Sequence, residues 1–227
     1  MLGKANRPHG TDGDLLLNLI ARILEEQNSL QFAVQLLFWL FFTIASPIAN
    51  ARPSLVVIDP GHGGIDRGGI PGLRLAEKDL TLDTAKRLSR ILRARSDIKV
   101  VMTRKEDIFV SLPARTAIAN RYAGTNAVFV SIHYNASLRE GAYGIETYYN
   151  NRRAYRLAVF VHPRVIQAAD SIDRGIRHRG YRVLRSNRLP AILVECGFMT
   201  NRAEAGRIQS ARYRDRIAAA IADGLLQ

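Results

Sequence analysis

A chain of 227 residues with 47% hydrophobic content can bury one core well, and its length argues against two. Its single cysteine, Cys196, excludes an intramolecular disulfide framework and a cysteine-rich zinc cluster. The formal net charge is +13, and because residues 1–51 hold more acids than bases, the whole basic excess lies downstream. Such a surface suits an anionic polymer or an acidic membrane. No basic run interleaved with aromatics marks it for reading nucleic acid.

Taken in chain order, the first feature is an uncharged stretch, 27–51, built around Leu36–Ile44, "LLFWLFFTI". A bilayer span needs about 20 apolar residues, so this core fits the apolar segment of an export signal. Ala49-Asn50-Ala51 supplies the small-x-small pattern that precedes cleavage. A retained anchor is the rival reading. Residues 1–51 are therefore expected to be an export signal or membrane anchor, and 52–227 the folded domain.

From Arg52 onward strands alternate with helices. Leu55–Asp59 reads as a strand, and Glu77–Arg95 as a helix with Leu82, Ala85, Leu88, Ile91 and Leu92 at helical spacing. Ile98–Thr103 is a strand, Leu112–Tyr122 a helix, and Ala127–His133 and Ile145–Tyr149 are strands. A helical region is expected over 155–177, broken near Pro163, with His162 marking the break. Short strands follow at Tyr181–Leu184 and Ala191–Glu195, and a final helix at Tyr213–Leu226. This rhythm predicts a single α/β domain, with a mixed, mostly parallel sheet and helices on both faces.

In such a sheet the functional groups gather at the carboxyl ends of strands. "VVIDPGHGGIDRGG" leaves a buried strand through an Asp-Pro-Gly turn and sets His62 among glycines. His133 closes "FVSIH", Glu195 closes "AILVE", and Glu77 opens the helix after the glycine-rich loop. If the strands run parallel, all four meet on one rim. Two imidazoles and a carboxylate form a known catalytic zinc set whose fourth position is left to water. No local metal motif of the His-Glu-x-x-His kind is present. Each residue also has a plain structural reading. A strand-end histidine can simply bond its loop, and Glu77 suits the first turn of a helix. Glu195 is the hardest to explain so, because an unpaired carboxylate in a buried strand is costly. Asp59 and Asp66 are candidates to orient His62, or merely turn residues. Asn135, Arg104 and Arg115 could line a cleft or serve the fold. Cys196, next to Glu195, should face the opposite side of its strand as a small buried residue.

Together, "VVIDPGHGGIDRGG", "EKDLTLDTAKRLSRIL", "VVMTRKED", "SLPARTAIAN", "VFVSIHYNAS", "GIETYY" and "LPAILVECGFMTNRAEAGRI" resemble, in order, the catalytic domain of the zinc-dependent N-acetylmuramoyl-L-alanine amidases, which are bacterial cell-wall hydrolases. The resemblance spans about 55–225. It implies a sheet of about six strands, with Zn2+ held by His62, Glu77 and His133 and Glu195 as the catalytic proton carrier. It also implies hydrolysis of the amide between N-acetylmuramic acid and the L-alanine of the stem peptide, for wall remodelling or daughter-cell separation. Peptidoglycan is then the substrate; anionic envelope polymers or a membrane surface, and a protein activator, are further partners. The expected protein is an exported monomer of the periplasm or the extracellular wall. Two other readings stay open at this point: a zinc peptidase acting within the stem peptide, and a catalytically silent wall-binding protein.

Overall fold

The computed structural model describes residues 52–139 and 141–227; the expected export signal or anchor at 1–51 lies outside them. Six strands make one sheet: β1 Leu55–Pro60, β2 Lys99–Met102, β3 Ala127–Asn135, β4 Ile145–Tyr149, β5 Asp173–His178 and β6 Ala191–Phe198. Their order across the sheet is β2-β1-β3-β6-β4-β5. β2, β1, β3 and β6 run parallel. β4 pairs antiparallel with β6 and parallel with β5, so two strands of the sheet are reversed.

Strand alternation sorts side chains onto two cores. Val56, Ile58, Val128, Val130, Ile132, Ile192, Val194 and Cys196 enter the larger one. Over this face pack three helices, α1 Glu77–Arg95, α3 Arg152–Ala169 and α6 Ala211–Leu225, contributing among others Leu88, Leu92, Val161, Val165, Ile217 and Ile221. The second core holds Leu55, Val57, Phe129, Tyr148, Leu189 and Leu193. Its cover is lighter: α2 Leu112–Asn120 and a single turn, α4 Arg182–Arg185, whose Val183 and Leu184 are buried. The remaining helix is α5 Arg202–Ile208, opened by Asn201, whose side chain accepts from the Ala203 and Glu204 backbone.

Three expectations are corrected. Pro163 does not break α3, which runs continuously from Arg152 to Ala169. Pro163 sits on the exposed side of the helix, and the carbonyl it deprives of a donor is that of Val159, another exposed residue. His162 accordingly marks no break. It is buried, and its two nitrogens face Thr147 Oγ1 and Asp173 Oδ1, each at 2.9 Å. The helical region does not reach 177 either: it stops at Asp170, which takes a left-handed conformation (φ 50°), and Asp173–His178 is an edge strand. Finally, Tyr181–Leu184 is not a strand; Arg182–Arg185 is a helical turn. The α5 segment carried no expectation.

Candidate metal centre and active-site cleft

His62 follows β1 directly, and its backbone is left-handed (φ 59°), a conformation that costs a non-glycine residue energy and persists only where the surroundings enforce it. They do. Arg115 Nη2 donates to the His62 carbonyl at 2.5 Å, and Gly63 and Asp66 exchange backbone hydrogen bonds of 2.9 and 3.1 Å. Glu77 is the first residue of α1 and reaches over the rim between the two histidines. Its Oε2 is 3.0 Å from His62 Nε2 and its Oε1 2.9 Å from His133 Nδ1. The Tyr134 backbone N–H also donates to Glu77 Oε1, at 3.0 Å, and that of Gly69 to Oε2, at 2.8 Å. The two imidazole rings stand edge to face, 5.0 Å between centroids.

Each of these three side chains offers a ligand atom, and the atoms all lie within 4.8 Å of one another. The donor set suits a borderline divalent cation, which takes neutral nitrogen and anionic oxygen. The backbone is shaped around it. A Cβ at Gly61 would collide with the His133 ring, and one at Gly68 would meet Glu77 Oε2 at 2.5 Å. Asp66 Oδ2 lies 2.9 Å from His62 Nδ1, leaving Nε2 toward the cluster, the arrangement that orients a ligating imidazole. Of the two aspartates considered for this task, it is Asp66 that performs it.

Asp59 has another job. Fully buried, it accepts from Thr103 Oγ1 at 2.6 Å, Ser131 Oγ at 2.7 Å and Arg115 Nη1 at 2.8 Å. Arg104 is buried too, donating to the carbonyls of Pro60, Gly61, Lys78 and Glu106. Both arginines hold the loop that carries His62. Cys196 packs in the larger core as the alternation required.

Glu195 stands opposite His133 in the β3–β6 register. Its Oε2 is enclosed and has no hydrogen-bond partner. Burial pushes its carboxyl well above the usual carboxylate range, and the charges of Glu77 and Glu146 push the same way. Glu77 moves oppositely. Burial works to raise it, but hydrogen bonds from His133 and His62 outweigh that and hold it well below the usual range. For His62 burial lowers the pKa, and the bonds to Glu77 and Asp66 more than reverse the effect. The two neighbouring carboxyls are thus shifted in opposite directions, Glu77 down by its imidazole partners and Glu195 up by burial.

Glu146 is the residue that sequence reasoning missed. Because β4 is reversed, its beginning lies at the rim where β3 and β6 end, and Glu146 pairs with Glu195 across the ladder. It is buried and bonded to Asn135 Nδ2 at 3.0 Å, Tyr148 Oη at 2.6 Å and Arg174 Nε at 2.9 Å. Read as parallel, β4 would have put Glu146 at the far end of the sheet. The acid in the otherwise apolar "GIETYY" was the available signal. His62, Asp66, Glu77, His133 and Glu195 line one cleft of about 780 Å³, together with Phe109, Leu112, Asn135, Tyr181, Arg182 and Arg185; Glu146 lies behind it, bonded to the lining residue Asn135.

The family model described as N-acetylmuramoyl-L-alanine amidase matches residues 56–227. The chain belongs to the N-acetylmuramoyl-L-alanine amidase family. Among curated relatives, the N-acetylmuramoyl-L-alanine amidase LytC of Bacillus subtilis is 37% identical over 191 residues, covering 80% of this chain and 38% of LytC. The chain therefore spans well under half the length of that relative. Among solved structures, the N-acetylmuramoyl-L-alanine amidase of Clostridium difficile 630 superposes with a TM-score of 0.72 at 39% identity, covering 78% of this chain and 96% of that one. AmiC2 of Nostoc punctiforme gives 0.69 at 44%, covering 76% and 94%. Family membership agrees with the six-stranded, mostly parallel sheet and with a metal-dependent hydrolytic centre.

Proposed function

We propose that this protein is a zinc-dependent N-acetylmuramoyl-L-alanine amidase acting on peptidoglycan. One observation carries the reading. The ligand atoms of His62, Glu77 and His133 converge within the cleft that holds Glu195, a carboxyl with an unpartnered buried oxygen. His62, Glu77 and His133 are the proposed zinc ligands, and Glu195 is the proposed acid–base residue. When bound there, zinc supplies a Lewis acid that makes water a better nucleophile near neutral pH and offsets negative charge growing on a carbonyl oxygen.

The remaining steps belong to the chain. Asp66 fixes which nitrogen His62 presents. Glu77, kept ionised by two imidazoles and two backbone N–H groups, contributes one negative charge and leaves the centre net positive. Glu195 takes the proton from attacking water and passes it to the departing alanine nitrogen; a carboxyl whose pKa is raised by burial suits both directions.

The basic excess of the described domain fits residence at an anionic polymer or membrane surface of the envelope. An exported location, periplasmic or in the extracellular wall, follows from the substrate and from the leader read at 1–51, cleaved or kept as an anchor. Among the described residues no helix is long and apolar enough to cross a membrane. A monomer working with a protein activator completes the proposal.

The test is digestion of purified peptidoglycan by the full chain, with and without a chelator, followed by mass analysis. Release of intact stem peptides beginning with alanine, lost on chelation, is the expected result; cleavage inside the stem would make the protein a peptidase instead. Glu195→Gln should keep its zinc and lose about 10²–10⁴-fold in turnover, and unchanged turnover would remove Glu195 from its role.

A further inference from the structure

The part of the cleft away from the metal cluster is furnished differently. The turn Arg182–Arg185 puts two guanidiniums on its outer side, three residues apart and so on neighbouring positions, and both line the cleft. The intervening Val183 and Leu184 are buried in the second core. The turn is firmly held. Asn150 Nδ2 donates to the carbonyls of Leu184, Asn187 and Leu189, Asn120 bonds Ser186 and Arg188, and the Tyr181 ring meets Tyr148 edge-on at 5.0 Å.

The more buried guanidiniums at this site are occupied by the fold: Arg115 by Asp59, Arg174 by Glu146, Arg104 by backbone carbonyls. Arg182 and Arg185 make no ion pair or side-chain hydrogen bond among the described residues, although four carboxylates line the same cleft. Two like charges one turn apart repel, and a rigid turn holding them together over a substrate cleft is arranged for an anion that arrives from outside.

We propose that Arg182 and Arg185 form the subsite for free carboxylates of the stem peptide, on the amine side of the scissile bond. The proposal rests on the amidase reading above and adds a specificity to it. In a wall polymer built of N-acetylated sugars and short peptides, the sugar chain is neutral once its lactyl group is amidated. The anionic groups a cleft can recognise are then the carboxylates of the acidic residues in the stem. Planar guanidiniums match carboxylates two bonds at a time. Amidation of those carboxylates would abolish the match, so this pair of arginines makes the enzyme selective for acidic over amidated stems.

The experiment compares two muramoyl-peptides that differ only in whether the stem carboxylates are free or carboxamides. The full chain should favour the acidic substrate by about tenfold or more in kcat/KM. In R182Q/R185Q that ratio should fall toward one, chiefly through KM, and R182K/R185K should keep part of it. A ratio of one in the unaltered protein, or an equal loss on both substrates in the variant, overturns the proposal. A second arm titrates the released stem peptides, acidic and amidated, by calorimetry, without requiring turnover. Preference for the acidic peptide that vanishes in R182Q/R185Q supports the subsite, and equal binding refutes it. Failure to cleave either substrate would refute the amidase reading, while the binding arm still decides the subsite.

Discussion

Replacing Arg115 by methionine isolates what holds the loop that carries His62. The side chain is 2% exposed and donates to Asp59 Oδ1 at 2.8 Å, to the carbonyls of Pro60 and His62 at 2.5 Å each, and to that of Val110 at 2.9 Å. Methionine fills similar space but leaves a carboxylate buried without its cation. Breaking a buried pair in this way costs about 3–5 kcal/mol. Asp59 keeps its bonds from Thr103 and Ser131, which places the expected loss near the lower figure. Three carbonyls also lose a donor, and that pushes the loss back up. For a domain of this size the melting temperature should fall by roughly 10 °C. Urea unfolding followed by circular dichroism gives the free energy. Combining Arg115→Met with Asp59→Asn should recover part of the loss, because the stranded charge is gone, yet the His62 and Val110 carbonyls still lack the arginine's bonds, Pro60 keeping the one from Arg104. On the zinc site proposed above, Arg115→Met should also bind the metal about 10–100-fold more weakly, since the left-handed His62 backbone loses its clamp. A cost below about 1 kcal/mol, or strict additivity in the double variant, would show that Arg115 does not secure this loop.

Two further outcomes follow from particular contacts. Asp66→Asn removes the carboxylate facing His62 Nδ1 and should weaken zinc binding by about 10–100-fold, measured by competition with a coloured chelator; unchanged affinity would free Asp66 of its orienting role. Further along α1, Asp83 accepts from Arg87 at 2.7 Å and from Arg214, joining α1 to α6. Burial works to raise its carboxyl, but those two arginines prevail and hold it below the usual 3.8. A depressed carboxylate stabilises the fold above its unfolded pKa and loses that contribution as pH falls through the folded one. Asp83→Asn should therefore cost about 1 kcal/mol at neutral pH, with the difference closing in strong acid. A difference that stayed constant in thermal melts from neutral pH down to strong acid would contradict this.

Much of the molecule was legible because its signals are local. Five of the six strands show as short apolar or alternating runs, and α1 as a 3.6-residue periodicity. His62, Glu77, His133 and Glu195 were found from their places at strand ends or helix starts, and β1, β3 and β6, being parallel neighbours, bring them together. The edge strand β5 was hidden. In "DRGIRH" polar and apolar residues do not alternate cleanly, and the helical pattern before it seemed to continue. The turn at Arg182–Arg185 was misread for a related reason: two adjacent apolar residues look the same in a short strand and in one helical turn.

By itself, then, the amino-acid sequence determined the α/β class, the strand-end residues and the kinship with cell-wall amidases, because periodicity and turn chemistry are written within a few neighbouring residues. Only the tertiary structure decided that β4 runs backwards, that Asp66 rather than Asp59 faces His62, that Glu146 sits across from Glu195, and that Arg182 and Arg185 share the cleft with His62, Glu77 and His133. Strand direction and side-chain partnership across tens of residues depend on how the sheet is assembled, and no local pattern records that.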